Sequence, residues 1–174
     1  MDLFQTLTEM IDLRSFSNLW YWIALAVMWS TASHWILGVP FDMVHRARKN
    51  GGQSAEDLED LVRINVNRML YVVQMAGLWI LAIACFVLSS LATLGFGLGV
   101  EFAQAVFLLL FPMAAVGLVN LATARSIRMN EPQGDALYRR LATCRFAIQI
   151  IGMISIFVTA MWGMYQNLRL GVFG

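Results

Sequence analysis

Four long intervals of the chain carry no charge at all. Arg14 to Asp42 encloses 27 residues, Arg68 to Glu101 encloses 32, and Glu101 to Arg125 and Arg145 to Arg169 enclose 23 each, with His34 counted as neutral. An α-helix needs about 20 apolar residues to cross the hydrocarbon core of a bilayer. The spacing therefore predicts an all-α polytopic membrane protein. Its four transmembrane helices, near 19–39, 69–94, 102–124 and 146–165, form two antiparallel hairpins with cytoplasmic helical extensions. Only 13% of the residues are charged against 59% hydrophobic, where soluble domains carry about 25% charge. This excludes a soluble enzyme, a nucleic-acid binder and a disulfide-stapled secreted domain, and leaves membrane lipids as the constant partner.

Charge sets the expected orientation. Arg46, Arg48, Lys49, Arg63 and Arg68 fall in the first long connection, and Arg125, Arg128, Arg139, Arg140 and Arg145 in the third. Only Arg14 and Arg169 remain for the other side, two of the twelve Lys and Arg residues. Basic residues resist translocation, so both connections are expected in the cytoplasm and both termini in the periplasm of a bacterial inner membrane. The start Met1-Asp2-Leu3 has no basic region, and the first apolar run begins late and continues far, which reads as an anchor rather than a cleaved signal. Segment 1–17 has apolar residues at helical spacing and is expected to lie on the outer surface, with Ser17 capping the first span. Residues 18–174 then form a single four-helix domain.

The connections read as helices too. Asn50-Gly51-Gly52 is a helix stop, and Ser54 with Asp57 has capping-box spacing at the start of a helix from about Ala55 into the second span. Asn130-Glu131-Pro132-Gln133-Gly134 makes the matching turn, with Asp135 expected to cap the next helix. Gly95, Gly97 and Gly99 mark an outer turn. Pro40 is expected to kink the inner end of the first helix, and Pro112 falls inside the third span, where membrane helices tolerate it. Trp20, Tyr21, Trp22, Trp162 and Tyr165 are placed for an outer interfacial belt.

The candidate site residues are few. The spans contain no Asp, Glu, Lys or Arg, which weakens a proton-coupled transporter. No metal-ligand cluster, nucleotide loop or nucleophile motif occurs, and no cofactor or catalytic residue is expected. His34 and His45, if on one helix, lie about 16 Å apart, and neither has a histidine partner on another helix to share a haem iron. Cys85 and Cys144 differ in depth by about 20 Å, too far for a disulfide. One layer is suggestive: His34, Gln74, Asn120 and Gln149 each place a polar group near the inner side of one span. The bland reading is interhelical hydrogen bonding, about 1 kcal/mol per contact; the sharper one is a pocket for a lipid headgroup or quinone. In the first inner hairpin, basic Arg46, Arg48 and Lys49 oppose acidic Glu56, Asp57, Glu59 and Asp60, an arrangement suited to partner docking.

The stretches Arg14-Ser15-Phe16-Ser17-Asn18-Leu19-Trp20-Tyr21-Trp22, Ala32-Ser33-His34-Trp35, Gly38-Val39-Pro40-Phe41-Asp42 and Arg63-Ile64-Asn65-Val66-Asn67-Arg68 are distinctive. With them the chain resembles, over most of its length, an inner-membrane family of alphaproteobacteria whose members sometimes carry the label of a component of the SufBCD iron–sulfur assembly complex. The resemblance implies no catalytic residues. Three functions are compatible with the residues: a non-enzymatic accessory or scaffold subunit of an inner-membrane assembly, with a protein partner or as a homo-oligomer; a small oligomeric channel or transporter; and a quinone-, pigment- or lipid-binding subunit of a bioenergetic complex.

Overall fold

The computed structural model describes Phe16 and residues 19–172, with side chains described as far as Leu168. Apart from Phe16, the expected outer segment 1–17 lies outside the described residues, and so does its Ser17 cap. Helix α1 (Leu19–His34) is followed by a two-residue antiparallel pair, β1 (Trp35–Ile36) with β2 (Val39–Pro40), and by α2 (Phe41–Asn50). Next come α3 (Gln53–Ala92), a π-helical turn (Thr93–Gly97), α4 (Glu101–Asn130) and α5 (Gly134–Val172). Among the described residues every regular element except the short β pair is helical. Its last three long helices, with the π turn continuing α3, are long and apolar enough to cross a membrane.

The first span departs from expectation. Helix α1 stops at His34 after 16 residues, about 24 Å of rise, rather than continuing to Val39. Leu37 and Gly38 both take positive φ, 55° and 74°, as a tight two-residue hairpin turn requires. A leucine rarely adopts this conformation; here its side chain is buried, and Asn65 Nδ2 donates to the Gly38 carbonyl at 3.2 Å. Pro40 accordingly does not kink α1. It stands at the N-cap of α2 with extended backbone, where its fixed φ and missing N–H cost nothing. His34 and His45 therefore lie on different helices.

Two expected caps are also replaced. Helix α3 begins at Gln53, with Gly52 at its N-cap and no side-chain cap, so Ser54 and Asp57 lie inside the helix. Gln53 Nε2 donates to Asp57 Oδ1 at 2.8 Å instead. Helix α5 begins at Gly134, one residue before Asp135. Its first N–H is satisfied from another helix, by Glu59 Oε1 at 2.9 Å.

Helix α4 packs between α3 and α5, and α5 packs on α1. The most buried part of the molecule lies at the charged end. There α2 inserts Phe41, Val44 and Ala47, α3 inserts Leu58, Val62 and Val66, and α5 inserts Leu137, Leu141 and Ile148. On both α2 and α3 the spacing is three or four residues, one face of a helix. The opposite pattern holds along the apolar half of α3. Its most apolar window has no buried residue, against 11% for α4 and 28% for α5. Leu78 is 84% exposed and Trp79 73%, as suits side chains solvated by lipid rather than by protein.

Candidate functional site

Two polar regions stand at opposite ends of the helices. At the charged end, α2 and α3 form a hairpin closed by Gly51 and Gly52, both with positive φ. Arg46, Arg48, Lys49, Glu56, Asp57 and Asp60 are exposed, and Glu59 is half-buried. The two arms do not neutralise each other. Arg46 pairs with Asp42 at 3.3 Å and Arg63 with Asp60 at 2.8 Å, each within its own helix, and no ion pair joins α2 to α3 among the described residues. Glu59 differs from its neighbours because it holds the start of α5. A carboxylate at a helix N-terminus satisfies an orphan N–H and complements the helix dipole.

Beside Glu59 a cleft of about 330 Å³ opens between α3 and the α4–α5 turn, with Arg63, Asn67, Arg128 and Glu131 among its walls. Arg128 Nη1 donates to Asn67 Oδ1 at 2.9 Å, tying α4 to α3 across it. On the far side of the hairpin the Arg145 guanidinium stacks on the Phe41 ring, 4.1 Å from its centroid. His45 meets the same ring edge-on at 5.0 Å. This cation–π contact fastens α2 to α5.

The four residues of the expected polar layer are not joined. His34 and Gln74 are exposed, and Asn120 and Gln149 are half-buried. No hydrogen bond links any two of them among the described residues. Asn120 Oδ1 instead accepts from Cys144 Sγ at 3.5 Å, the buried one of the two free cysteines.

A different glutamine is the centre of a network. Gln104 is 4% exposed. Its Nε2 donates to the Gly95 carbonyl at 2.8 Å, and its Oε1 accepts from Trp162 Nε1 at 3.0 Å and from Gln166 Nε2. One amide thus joins the π turn, α4 and α5. Gly95 is required by proximity, because a Cβ there would lie 2.9 Å from the Gln104 backbone nitrogen. Nearby, the Phe16 N–H donates to Glu101 Oε1 at 2.9 Å and Tyr21 Oη donates to the Ala105 carbonyl at 3.2 Å. Trp162, expected as an interfacial anchor, belongs to this network and packs edge-on against Phe96.

Fold and polar groups together define the class: an all-helical chain with three membrane-length apolar helices, a packed charged end and a latched turn end. Compared with protein-family models, curated proteins and solved structures, the chain matches none.

Proposed function

We propose that the chain is a non-enzymatic accessory or scaffold subunit of a bacterial inner-membrane assembly. In this reading α1 and the apolar β1–β2 hairpin complete a fourth crossing, both termini are periplasmic, and the α2–α3 hairpin is the cytoplasmic docking surface. The observation that carries the proposal is the contrast within that hairpin. Its inner faces are firmly packed, while the basic arm (Arg46, Arg48, Lys49) and the acidic arm (Glu56, Asp57) stay exposed and unpaired with each other. Exposed charges add little to stability; held on a rigid platform, they orient and select a partner. Glu59 contributes less to docking, since it caps α5, and Arg46 and Asp60 are each shared with an ion pair inside their own helix.

The test is purification in mild detergent followed by mass spectrometry. A stoichiometric protein partner is expected, and neutralising Arg46, Arg48, Lys49, Glu56 and Asp57 together should lose it while membrane insertion and helicity persist. Retention of the partner by that variant removes the docking role. An isolated homo-oligomer that conducts solute in liposomes supports the channel or transporter instead.

A further inference from the structure

We propose that Arg145, held against Phe41 where α5 turns apolar, is a binding site for the phosphate of an anionic phospholipid. Arg145 is the last charge on α5 before 23 uncharged residues. It is half-buried, with Cζ 4.1 Å from the centroid of the Phe41 ring. That ring belongs to α2 and is itself buried, so it fixes the position of the cation. It supplies no hydrogen-bond acceptor. Nε of Arg145 is buried with no partner, and among the described residues no ion pair or hydrogen bond reaches the guanidinium. Nη1 and Nη2 are equally without a partner but are not among the buried unpaired atoms, so they open to the surface. A partly desolvated, unpaired cation is costly, and a bound anion removes that cost.

The surroundings choose the anion. Arg145 stands where α5 passes from charged to apolar sequence, and the next residue, Phe146, is 63% exposed, as suits a side chain in contact with lipid. Phospholipid phosphates lie at this level, at the edge of the hydrocarbon core. A planar guanidinium presents paired N–H groups to a phosphate. Acids that could take the ammonium of a zwitterionic headgroup are distant or engaged. Asp135, the nearest on α5, is ten residues away, about 15 Å along the helix; on α2, Asp42 is paired with Arg46. A lipid of net negative charge is therefore favoured. Arg68 and Arg125, the last charges before the apolar runs of α3 and α4, are exposed and also without an ion pair among the described residues. They add to the attraction for anionic lipid, but of the three only Arg145 is held on an aromatic ring among the described residues. The site needs α5 to cross the membrane and does not need the α2–α3 hairpin to dock a partner.

The full chain, delipidated in a neutral detergent and titrated with phosphatidylglycerol, should take up the first lipid saturably and more tightly than phosphatidylcholine, as read by native mass spectrometry. Arg145→Gln should weaken that first binding step by about thirtyfold, the loss of one charge-assisted contact. Arg145→Lys keeps the charge but loses the planar fork, and should weaken it by about tenfold. Arg125→Gln removes an equal charge at the same level and should weaken it by only about fivefold. All three variants should keep the helicity of the wild type. The variant neutralised at Glu56 and Asp57 should bind the lipid as the wild type does, whether or not it still holds a protein partner. Inorganic phosphate at the concentration of the lipid should not displace it. Equal affinity for the two lipids, equal losses from Arg145→Gln and Arg125→Gln, undiminished binding by Arg145→Lys, displacement by inorganic phosphate, or a co-purified protein that blocks the lipid from Arg145 overturns the proposal.

Discussion

Removing the Gln104 amide strands three groups at once: the Gly95 carbonyl, the Trp162 indole N–H and the Gln166 amide. Each unpaired buried group costs its desolvation without the compensating bond. Hydrogen bonds between membrane helices average below about 1 kcal/mol, but the loss of one residue that serves three of them leaves several groups unpaired together. Gln104→Leu is therefore expected to lower stability by about 2 kcal/mol, read as a reduced melting temperature in detergent. His34→Leu is expected to change it by under about 0.5 kcal/mol, as for an ordinary surface substitution, because His34 is exposed and its nearest aromatic contact is Trp35 at 6.1 Å. The reverse ranking would return His34 to the structural role that its sequence position suggests. Gln104 was not legible in the sequence. Three residues from Glu101 at a helix start, it reads as a boundary residue, and its partners Trp162 and Gln166 are 58 and 62 residues away. The alternating glycines at 95, 97 and 99 were the one local signal, since a glycine in a turn also marks a close approach.

At the scale of elements, legibility follows the physics that fixes each one. The lengths of α4 and α5 and the apolar half of α3 were readable because hydrocarbon thickness imposes a minimum run that composition reveals directly. The Gly51–Gly52 stop was readable because positive φ selects glycine. The end of α1 was not. Trp35 to Phe41 is nearly as apolar as the helix before it, and the hairpin turn is held by the β1–β2 pairing, by the Asn65–Gly38 bond across 27 residues, and by the burial of Ile36, Leu37 and Val39. The capping of α5 likewise depends on a distant residue. The start of α5 is satisfied across 75 residues by Glu59 rather than locally by Asp135. Glu59→Ala is therefore expected to cost about 1 kcal/mol, the usual worth of a helix cap, and to raise hydrogen exchange in the first turn of α5. Glu56→Ala, exposed on the same helix, should leave both unchanged. Equal effects from the two substitutions would show that the carboxylate at Glu59 is not acting as a cap.

For the whole molecule, burial and charge point to the same asymmetry. Helix α3 has 40 residues, about 60 Å of rise, or twice the thickness of the hydrocarbon core. Half of it must therefore stand outside the bilayer. That half carries Leu58, Val62 and Val66, its only fully buried side chains, and ten of the twelve basic residues belong to this end of the molecule. A protein-solvated, charged end and a lipid-solvated apolar end are the two halves of one polarity, and basic residues decide which end stays in the cytoplasm. In a cysteine-free background, a cysteine at exposed Gln53, beside the Gly51–Gly52 turn, should react with a membrane-impermeant maleimide only after the inner membrane is opened. One at Leu98, in the turn between α3 and α4 and 71% exposed, should react in intact cells whose outer membrane is permeable to the reagent. Labelling in the opposite order would place the α2–α3 hairpin in the periplasm, and the cytoplasmic partner would have to be abandoned with it.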